Sequence, residues 1–214
     1  NPTYVNIDTV KKIKKDKIFK LLKIDNFFKG FLILIKHPLS SEMNESYTQM
    51  KKSLKAIKIF CNKHNFATIC ISPNSDPGSY EMIRAIKELK DEKWFYYFNT
   101  LHRDIFINLV RNAKALVGNS SMGILEAPHY KLPVVNIGNR QVGRLSAGNV
   151  KFTNYLEKNI INALEISCFD KNYIKKINNL KNPYGDSSAA KKIRKVIESI
   201  NTEDQKWYVK RKLC

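Results

Sequence analysis

The sequence contains few cysteines and no long apolar run, and both shortages limit what the chain can be. Its four cysteines have neither the paired spacing of a zinc site nor the pattern of a disulfide framework: Cys61, Cys70, Cys168 and Cys214. A reducing compartment is therefore favoured, and we expect a cytoplasmic protein. No apolar run approaches the ~20 residues of a membrane-spanning helix, so we expect no membrane partner.

Acidic residues are also scarce relative to basic ones. The chain has 19 Asp and Glu against 38 Lys and Arg, which gives a net charge of +19. Such a balance is typical of proteins that bind nucleic acid, acidic lipid or a phosphorylated ligand. The lysines are spread over many segments, however, and no nucleic-acid-binding motif accompanies them. Compositional bias explains the charge more simply, so we expect no nucleic-acid partner; a basic nucleic-acid-binding module remains an alternative that rests on charge alone.

The order of apolar segments predicts the fold class. At 214 residues and 43% hydrophobic content, the chain can bury the core of one generous domain, with or without appendages. Segments with helical spacing alternate with short apolar runs, which predict strands near 31–35, 67–71, 94–98, 114–117 and 133–137, with a possible sixth at 150–152. This alternation predicts an α/β fold, a doubly wound parallel sheet with helices on both faces.

The two ends of the chain differ from this alternation. Apolar residues spaced among lysines predict one basic amphipathic helix from Thr9 to about Leu22, which we expect to pack on its own domain. Near the other end, a final helix is predicted from Ser187 to about Ile200. We therefore expect three parts: a linker with the basic helix at 1–24, the α/β domain at 25–200 and a tail at 201–214.

The stretch Ala113–Arg144 carries the strongest local pattern. A short apolar strand ends at Gly118, and small polar residues, a brief helix over 124–127 and a second strand follow, which together predict a βαβ unit. The turn places the hydroxyls of Ser120 and Ser121 and free backbone N–H groups at a helix N-terminus, where a phosphate binds without further charge. One such serine alone is explained equally well as a helix cap.

The residues around this turn suit a nucleotide-sugar. Gly118 and Gly123 flank the serines, and Glu126 would lie about one helical turn inside, near enough to accept hydrogen bonds from sugar hydroxyls. Arg140 and Arg144 follow the second strand, and guanidinium groups pair well with diphosphate oxygens. The combination favours a nucleotide-sugar site over a simple helix cap.

Chain topology gives independent support for a site. In the doubly wound strand order 3-2-1-4-5-6, the first and fourth strands are neighbours at the switch point, where ligands bind. His37 follows the first strand and Gly118–Ser121 follows the fourth, so both are expected at one crevice although they are far apart in sequence. A lone histidine is more often structural. At this place His37 is a candidate for hydrogen bonding to a diphosphate or for proton transfer.

Five ordered segments of the chain resemble the UDP-N-acetylglucosamine 2-epimerase family, closest to its hydrolysing, sialic-acid-pathway branch. They are Lys36–Pro38, Pro73–Ser79, Gly118–Pro128, Leu132–Gln141 and Asn182–Asp186. The similarity extends from about Phe31 to Ser199, nearly the whole chain. It implies two Rossmann-like halves of the GT-B type with the substrate between them, and this chain resembles the second, nucleotide-binding half only.

The resemblance also implies an activity for the complete enzyme. UDP is eliminated from UDP-N-acetylglucosamine to leave 2-acetamidoglucal, and addition of water then releases N-acetylmannosamine. The family places its acid–base carboxylates on the first half, so the implied partners are UDP or UDP-N-acetylglucosamine and an N-terminal half, in a homo-oligomer. No metal or other cofactor is implied, because side chains and the departing diphosphate handle the proton beside the anomeric centre.

For individual residues, the resemblance implies an active-site role for His37, a substrate-facing Asn74 and, more weakly, contact between Phe106 and uracil. Arg140 matches the family's arginine and is favoured over Arg144. Without the resemblance, Asn74 is explained as a turn residue and Phe106 as a residue of the core. The donor-nucleotide-binding half of a GT-B glycosyltransferase remains an alternative function, because it would use the same turn and the same ribose-binding glutamate.

Overall fold

The computed structural model describes residues 3–204, which divide into two compact units. The larger unit is Val10–Pro183, and the smaller takes in the described parts of Asn1–Thr9 and Tyr184–Cys214. The boundaries predicted from the sequence, after residues 24 and 200, differ from this division, and as domain boundaries they stay predictions. The predicted tail at 201–214 lies mostly outside the described residues, as does Cys214.

Six parallel strands of the described chain form one sheet. They are β1 (Gly30–Ile35), β2 (Phe66–Ile71), β3 (Phe95–Phe98), β4 (Ala115–Gly118), β5 (Val134–Ile137) and β6 (Val150–Thr153). Their order is β3-β2-β1-β4-β5-β6, which is the doubly wound order. The predicted α/β fold is therefore confirmed, and each predicted strand agrees with the structure to within one residue at either end.

The central strand β1 explains why the apolar runs predicted the sheet well. It pairs with β2 on one side and β4 on the other, and all six of its residues are buried. A parallel strand covered on both faces needs apolar side chains throughout, so its sequence reads as a continuous apolar run. Its last residue, Ile35, is in register with Ile71 of β2 and Gly118 of β4.

Helices of the larger unit cover both faces of this sheet. They are α2 (Lys15–Leu22), α3 (Ser46–His64), α4 (Ser79–Lys87), α5 (Arg103–Asn112), α6 (Met122–Leu125), α7 (Glu157–Phe169) and α8 (Lys171–Asn178). The smaller unit holds α1 (Thr3–Thr9) and α9 (Ala189–Glu198). α3 packs against α4 and α7, whereas α2 packs against α5. Because β1–α3–β2 and β3–α5–β4 cross the sheet in opposite directions, right-handed crossovers place α3 and α5 on opposite faces. No helix within residues 3–204 has the length and apolar character that a membrane crossing requires.

The prediction of one helix over Thr9–Leu22 is wrong. α1 ends at Thr9, and residues 10–14 lie outside any helix before α2 begins. The buried side chain of Asn108 on α5 holds this segment, because its Oδ1 accepts from the Ile13 N–H (2.8 Å) and its Nδ2 donates to the Lys11 carbonyl (3.0 Å). These tertiary hydrogen bonds satisfy backbone groups that a continuous helix would have paired internally.

Sequence periodicity also missed α8. The side chain of Asp170 caps this helix by accepting a hydrogen bond from the Tyr173 N–H at 2.8 Å. Only Tyr173 and Ile177 are buried on α8. Two apolar positions in eight residues give too little periodicity for a prediction.

The smaller unit contains α1 and α9. The hydroxyl of Ser187 donates to the Asp8 carboxylate at 2.7 Å within this unit. α9 corresponds to the predicted final helix and is shorter at both ends. On α9, Ile193, Val196 and Ile197 are each more than half exposed.

We predict that Gly118→Ala unfolds at much lower urea concentration than the parent chain. Gly118 has φ +131°, and an added Cβ would lie 2.0 Å from the Ile35 backbone oxygen. Backbone strain and this clash together should cost at least ~3 kcal/mol of unfolding free energy. Gly143→Ala is the matched control, because Gly143 also has positive φ (+83°) but has nothing within 4 Å of the added methyl. It should cost about 1–2 kcal/mol, and equal losses for the two variants would contradict the steric argument.

Candidate functional site

The carboxyl ends of β1 and β4 lie side by side, as the strand order requires. Ile35 pairs with Gly118 at the last position of both strands, and the Asn119 N–H donates to the Ile35 carbonyl at 3.1 Å. The loop that carries His37 and the turn that carries Ser120 therefore leave the sheet from neighbouring points. The structure thus brings the two segments to one edge of the sheet.

Asn119, which the sequence analysis did not select, joins these segments. Its Oδ1 accepts from the His37 backbone N–H at 2.7 Å, and its Nδ2 donates to the His37 carbonyl at 2.8 Å. Its own carbonyl accepts from Gln141 Nε2 (2.9 Å) and Arg140 Nη1 (3.3 Å). Asn119 is only 3% exposed, so these hydrogen bonds are shielded from water, where leaving one unmade is costly. One buried residue thereby ties together the segments that follow β1, β4 and β5.

The half-buried imidazole of His37 has a defined orientation. Its Nδ1 accepts a hydrogen bond from the Asn74 backbone N–H at 2.9 Å. Burial lowers the pKa of His37, the positive charges of Arg140 and Lys36 lower it further, and only Asp76 acts in the opposite direction. The ring is therefore neutral near pH 7, and its proton lies on Nε2 because Nδ1 is occupied as an acceptor.

The Asn74 loop positions the histidine. The Asn74 side-chain amide donates to the Asp76 carboxylate, which lies 3.9 Å from the Arg140 guanidinium. The sequence analysis expected Asn74 to face the substrate. In the structure its backbone N–H donates to His37 Nδ1 and its side-chain amide donates to Asp76, so Asn74 orients these two groups. A contact between Asn74 and the substrate stays a prediction.

The two predicted arginines differ in position. Arg140 is partly buried and contacts both the Asn119 carbonyl and the Asp76 carboxylate. Arg144 is exposed, and its backbone N–H bonds to the Gln141 carbonyl at 3.3 Å. Gln141, which the sequence analysis did not select, is 1% exposed, and its Oε1 has no hydrogen-bond partner in the part of the chain that the structure describes. The structure therefore brings Arg140 to the edge with His37, and a contact between Arg144 and the nucleotide stays a prediction.

The serine turn differs in one respect from the predicted phosphate cradle. α6 spans Met122–Leu125 instead of 124–127, so Glu126 lies at its C-terminal end and not one turn inside. A single turn has a weak dipole, which leaves the backbone N–H groups and hydroxyls as the useful donors. Within residues 3–204 the N–H groups of Ser120 and Ser121 donate to no acceptor, while the Ser120 hydroxyl accepts from Met122 N–H at 3.4 Å.

Gly123 serves packing at this turn. A Cβ added to it would lie 2.8 Å from Cγ1 of Val134 on β5. The glycine therefore allows α6 to approach the sheet closely. A role for Gly123 in binding the ligand, which the sequence suggested, stays a prediction.

Glu126 carries a carboxylate without a hydrogen-bond donor among the described residues. Burial raises its pKa, and the charge of Arg103, at the start of α5, opposes that rise. Arg103 lies one helical turn before Phe106, which is partly buried against the core. Arg103 was not predicted from the sequence. It lies near Glu126 only because the folded chain brings the start of α5 close to the end of α6.

Comparison with known proteins gives this arrangement a family. The family model described as UDP-N-acetylglucosamine 2-epimerase matches residues 2–198 of the chain. The chain belongs to this epimerase family. A curated relative, polysialic acid biosynthesis protein P7 of Escherichia coli, is 29% identical over 191 residues, which cover 87% of this chain and 48% of the relative. The UDP-N,N'-diacetylbacillosamine 2-epimerase (hydrolyzing) of Legionella pneumophila is 30% identical over 83% of this chain and 45% of its own length.

A solved structure from the same family shares the fold. The UDP-GlcNAc 2-epimerase from Neisseria meningitidis, bound to UDP-GlcNAc, superposes with a TM-score of 0.62 at 17% identity, over 87% of this chain and 48% of that one. At this identity the likeness is evidence for the fold. The chain spans about half the length of the curated relatives it matches.

We predict that Asn119→Ala destabilises the domain by about 2–4 kcal/mol, because it leaves the buried N–H and carbonyl of His37 without partners. Urea unfolding measures this loss. Asn162→Ala is the control: Asn162 is exposed in the middle of α7, so the change should stay within about 0.5 kcal/mol. If the two variants are equally stable, Asn119 does not hold the two segments together.

Proposed function

We propose that this chain is the nucleotide-binding part of a hydrolysing UDP-N-acetylglucosamine 2-epimerase and that UDP binds at the edge that carries His37 and Ser120. The observation that carries the proposal is the grouping of a neutral histidine, an arginine and a turn with free N–H groups around Asn119. A diphosphate is bound by cationic groups and by backbone N–H groups that donate to no acceptor within the protein.

Each group has a role in this proposal. The diphosphate accepts hydrogen bonds from the Ser120 and Ser121 N–H groups and from Arg140. Glu126 accepts from the ribose hydroxyls, since its half-buried carboxylate has no donor of its own among the described residues. Phe106 contacts the uracil ring in this proposal, which the closeness of Arg103, the first residue of the same helix, to Glu126 supports.

The tautomer of His37 limits its part in the reaction. A neutral imidazole whose Nδ1 already accepts a hydrogen bond has only its Nε2–H to offer. Such a group donates to the departing diphosphate and stabilises charge as the C1–O bond breaks. Removal of the C2 proton and hydration of the resulting 2-acetamidoglucal then require acid–base groups on a facing half. We propose that an N-terminal half supplies them and closes the site to water.

Two rival functions predict different behaviour. The donor-binding half of a GT-B glycosyltransferase would bind the same nucleotide, and the reaction product of the complete protein distinguishes it from an epimerase. A basic nucleic-acid-binding module predicts binding that weakens steeply with salt and shows no preference for UDP.

We further propose a cytoplasmic location for the protein. Three cysteines support it, since Cys61, Cys70 and Cys168 are all free thiols.

We predict that Glu126→Ala lowers the affinity for UDP by on the order of 1.5–3 kcal/mol, the value of a hydrogen bond to a charged acceptor. Calorimetry with UDP and 2′-deoxy-UDP measures it. The parent chain should prefer UDP, and Glu126→Ala should discriminate little between the two nucleotides. Glu126→Gln, which keeps the size of the side chain, controls for packing. If Glu126→Ala keeps the preference of the parent chain for UDP over 2′-deoxy-UDP, Glu126 does not bind the ribose hydroxyls.

We also predict that the 214-residue chain alone releases no N-acetylmannosamine from UDP-N-acetylglucosamine. The edge described here holds donors and a single unengaged carboxylate, and proton removal at C2 needs a base on the other side of the sugar. The assay follows UDP and N-acetylmannosamine with and without an N-terminal half from a relative. Turnover by the isolated chain, abolished in His37→Ala, would show that this chain holds the whole catalytic set.

A further inference from the structure

Lys36 is buried at the end of β1, directly before His37. It is only 1% exposed, and lysine is almost never this buried unless its ammonium has partners. Its Nζ donates to the Tyr155 hydroxyl at 3.4 Å and lies 5.0 Å from the centroid of the same ring. In the site described above, Lys36 enters only through its effect on the pKa of His37, and Tyr155 has no part.

Tyr155 continues a chain of polar side chains away from Lys36. Its hydroxyl donates to Gln49 Oε1 at 2.8 Å, and Gln49 Nε2 donates to Glu42 Oε2 at 2.7 Å. The other oxygen of Glu42 accepts from Asn139 Nδ2 at 3.3 Å. A buried cation directly after β1 is thus linked to a carboxylate that accepts a hydrogen bond from Asn139, the residue immediately before Arg140.

The same tyrosine packs directly on the turn after β5. Gly138 has φ +85°, and a Cβ added there would lie 2.2 Å from the Tyr155 hydroxyl. The hydroxyl therefore occupies the space beside Gly138, while Glu42 holds Asn139. Both residues of this turn are fixed by side chains that connect back to Lys36.

We propose that Lys36 is a positioning residue for diphosphate binding: it holds Tyr155 against the Gly138–Asn139 turn, and thereby Arg140, and it places a positive charge behind the diphosphate. The second part rests on the proposed function. The first part concerns the geometry of the turn alone and is tested without any nucleotide.

The charge of Lys36 gives this proposal a pH signature. Burial lowers the pKa of Lys36 to about 8, and the charge of Glu42 acts against this shift. The negative charge of a bound diphosphate favours the protonated lysine, so UDP affinity should be highest below pH 8 and fall as Lys36 loses its proton.

The other groups near Lys36 do not titrate in the window from about pH 7.5 to 9.5. The pKa of His37 is lowered and that of Tyr155 is raised by burial, with Glu42 and Glu45 adding to the rise. Arg140 stays charged, and a terminal phosphate with a second pKa near ~6 is already fully ionised. The uracil ring of UDP loses a proton at the alkaline end of this window, and that loss affects every variant alike. A fall in affinity that is present in the parent chain and absent in Lys36→Met therefore reports on Lys36.

The first experiment measures UDP affinity by calorimetry between pH 7 and 9.5. The variants are Lys36→Met and Tyr155→Phe, with Lys52→Met, an exposed lysine on α3, as the control of equal charge change. We expect Lys36→Met to bind about tenfold more weakly at pH 7, the worth of ~1.4 kcal/mol, and to lose the fall near pH 8. Tyr155→Phe should weaken binding and keep that fall, and Lys52→Met should match the parent.

Double variants test the link to Arg140. If Lys36 acts through Arg140, the combined loss in Lys36→Met/Arg140→Ala should be smaller than the product of the two separate losses. A parent-like pH profile in Lys36→Met, or equal weakening in Lys36→Met and Lys52→Met, would overturn the role of the buried charge.

Amide NMR spectra without UDP separate this proposal from the proposed function. The backbone signals of Gly138–Gln141 should shift in Lys36→Met and in Tyr155→Phe and stay in place in Lys52→Met. Unmoved signals in both test variants would overturn the positioning role, and Tyr155→Phe decides it if Lys36→Met fails to fold. A parent chain that binds no UDP while these signals shift would overturn the proposed function and leave the positioning of the turn established.

Discussion

The two hydrogen bonds between the Asn119 side chain and the His37 backbone are the contact on which the candidate site depends. Parallel strands bring β1 and β4 to the same edge, but strand pairing alone leaves the loops beyond it free to diverge. The buried side-chain amide of Asn119 bonds both the backbone N–H and the backbone carbonyl of His37. The backbone carbonyl of Asn119 accepts hydrogen bonds from the side chains of Arg140 and Gln141. Three loops from separate parts of the sequence are therefore fixed by one residue, and the energy of buried hydrogen bonds maintains their geometry.

The groups that this contact brings together differ in charge, and their charges give them different roles. His37 stays neutral because it is buried beside Arg140 and Lys36, so it donates a hydrogen bond without adding charge. The partly buried Arg140 supplies one positive charge at the edge of the sheet, and the buried Lys36, beside Tyr155, supplies a second. Glu126 is held with a raised pKa and no internal donor among the described residues. The arrangement suits the binding of an anionic nucleotide, and it leaves proton abstraction to groups elsewhere.

The sequence allowed prediction of the parts of the fold that depend on local pattern. Apolar runs such as Phe31–Ile35 predicted the strands, and the doubly wound order then predicted that His37 meets the serine turn. The roles of Asn119, Gln141 and Lys36 depend on contacts across many residues, and an asparagine beside two serines reads only as a turn. The break in the chain before α2 has the same cause. The side chain of Asn108 replaces hydrogen bonds that a helix would have made there, and the periodicity of the lysine-rich segment does not predict this contact.

The central claim is that the edge organised by Asn119 is a nucleotide diphosphate site, and a crystal structure of the chain with UDP tests it most directly. The account predicts diphosphate oxygens within hydrogen-bond distance of the Ser120 and Ser121 N–H groups and Arg140, with ribose hydroxyls on the Glu126 carboxylate. UDP bound instead to exposed lysines away from this edge, or oriented with its ribose far from Glu126, would contradict it.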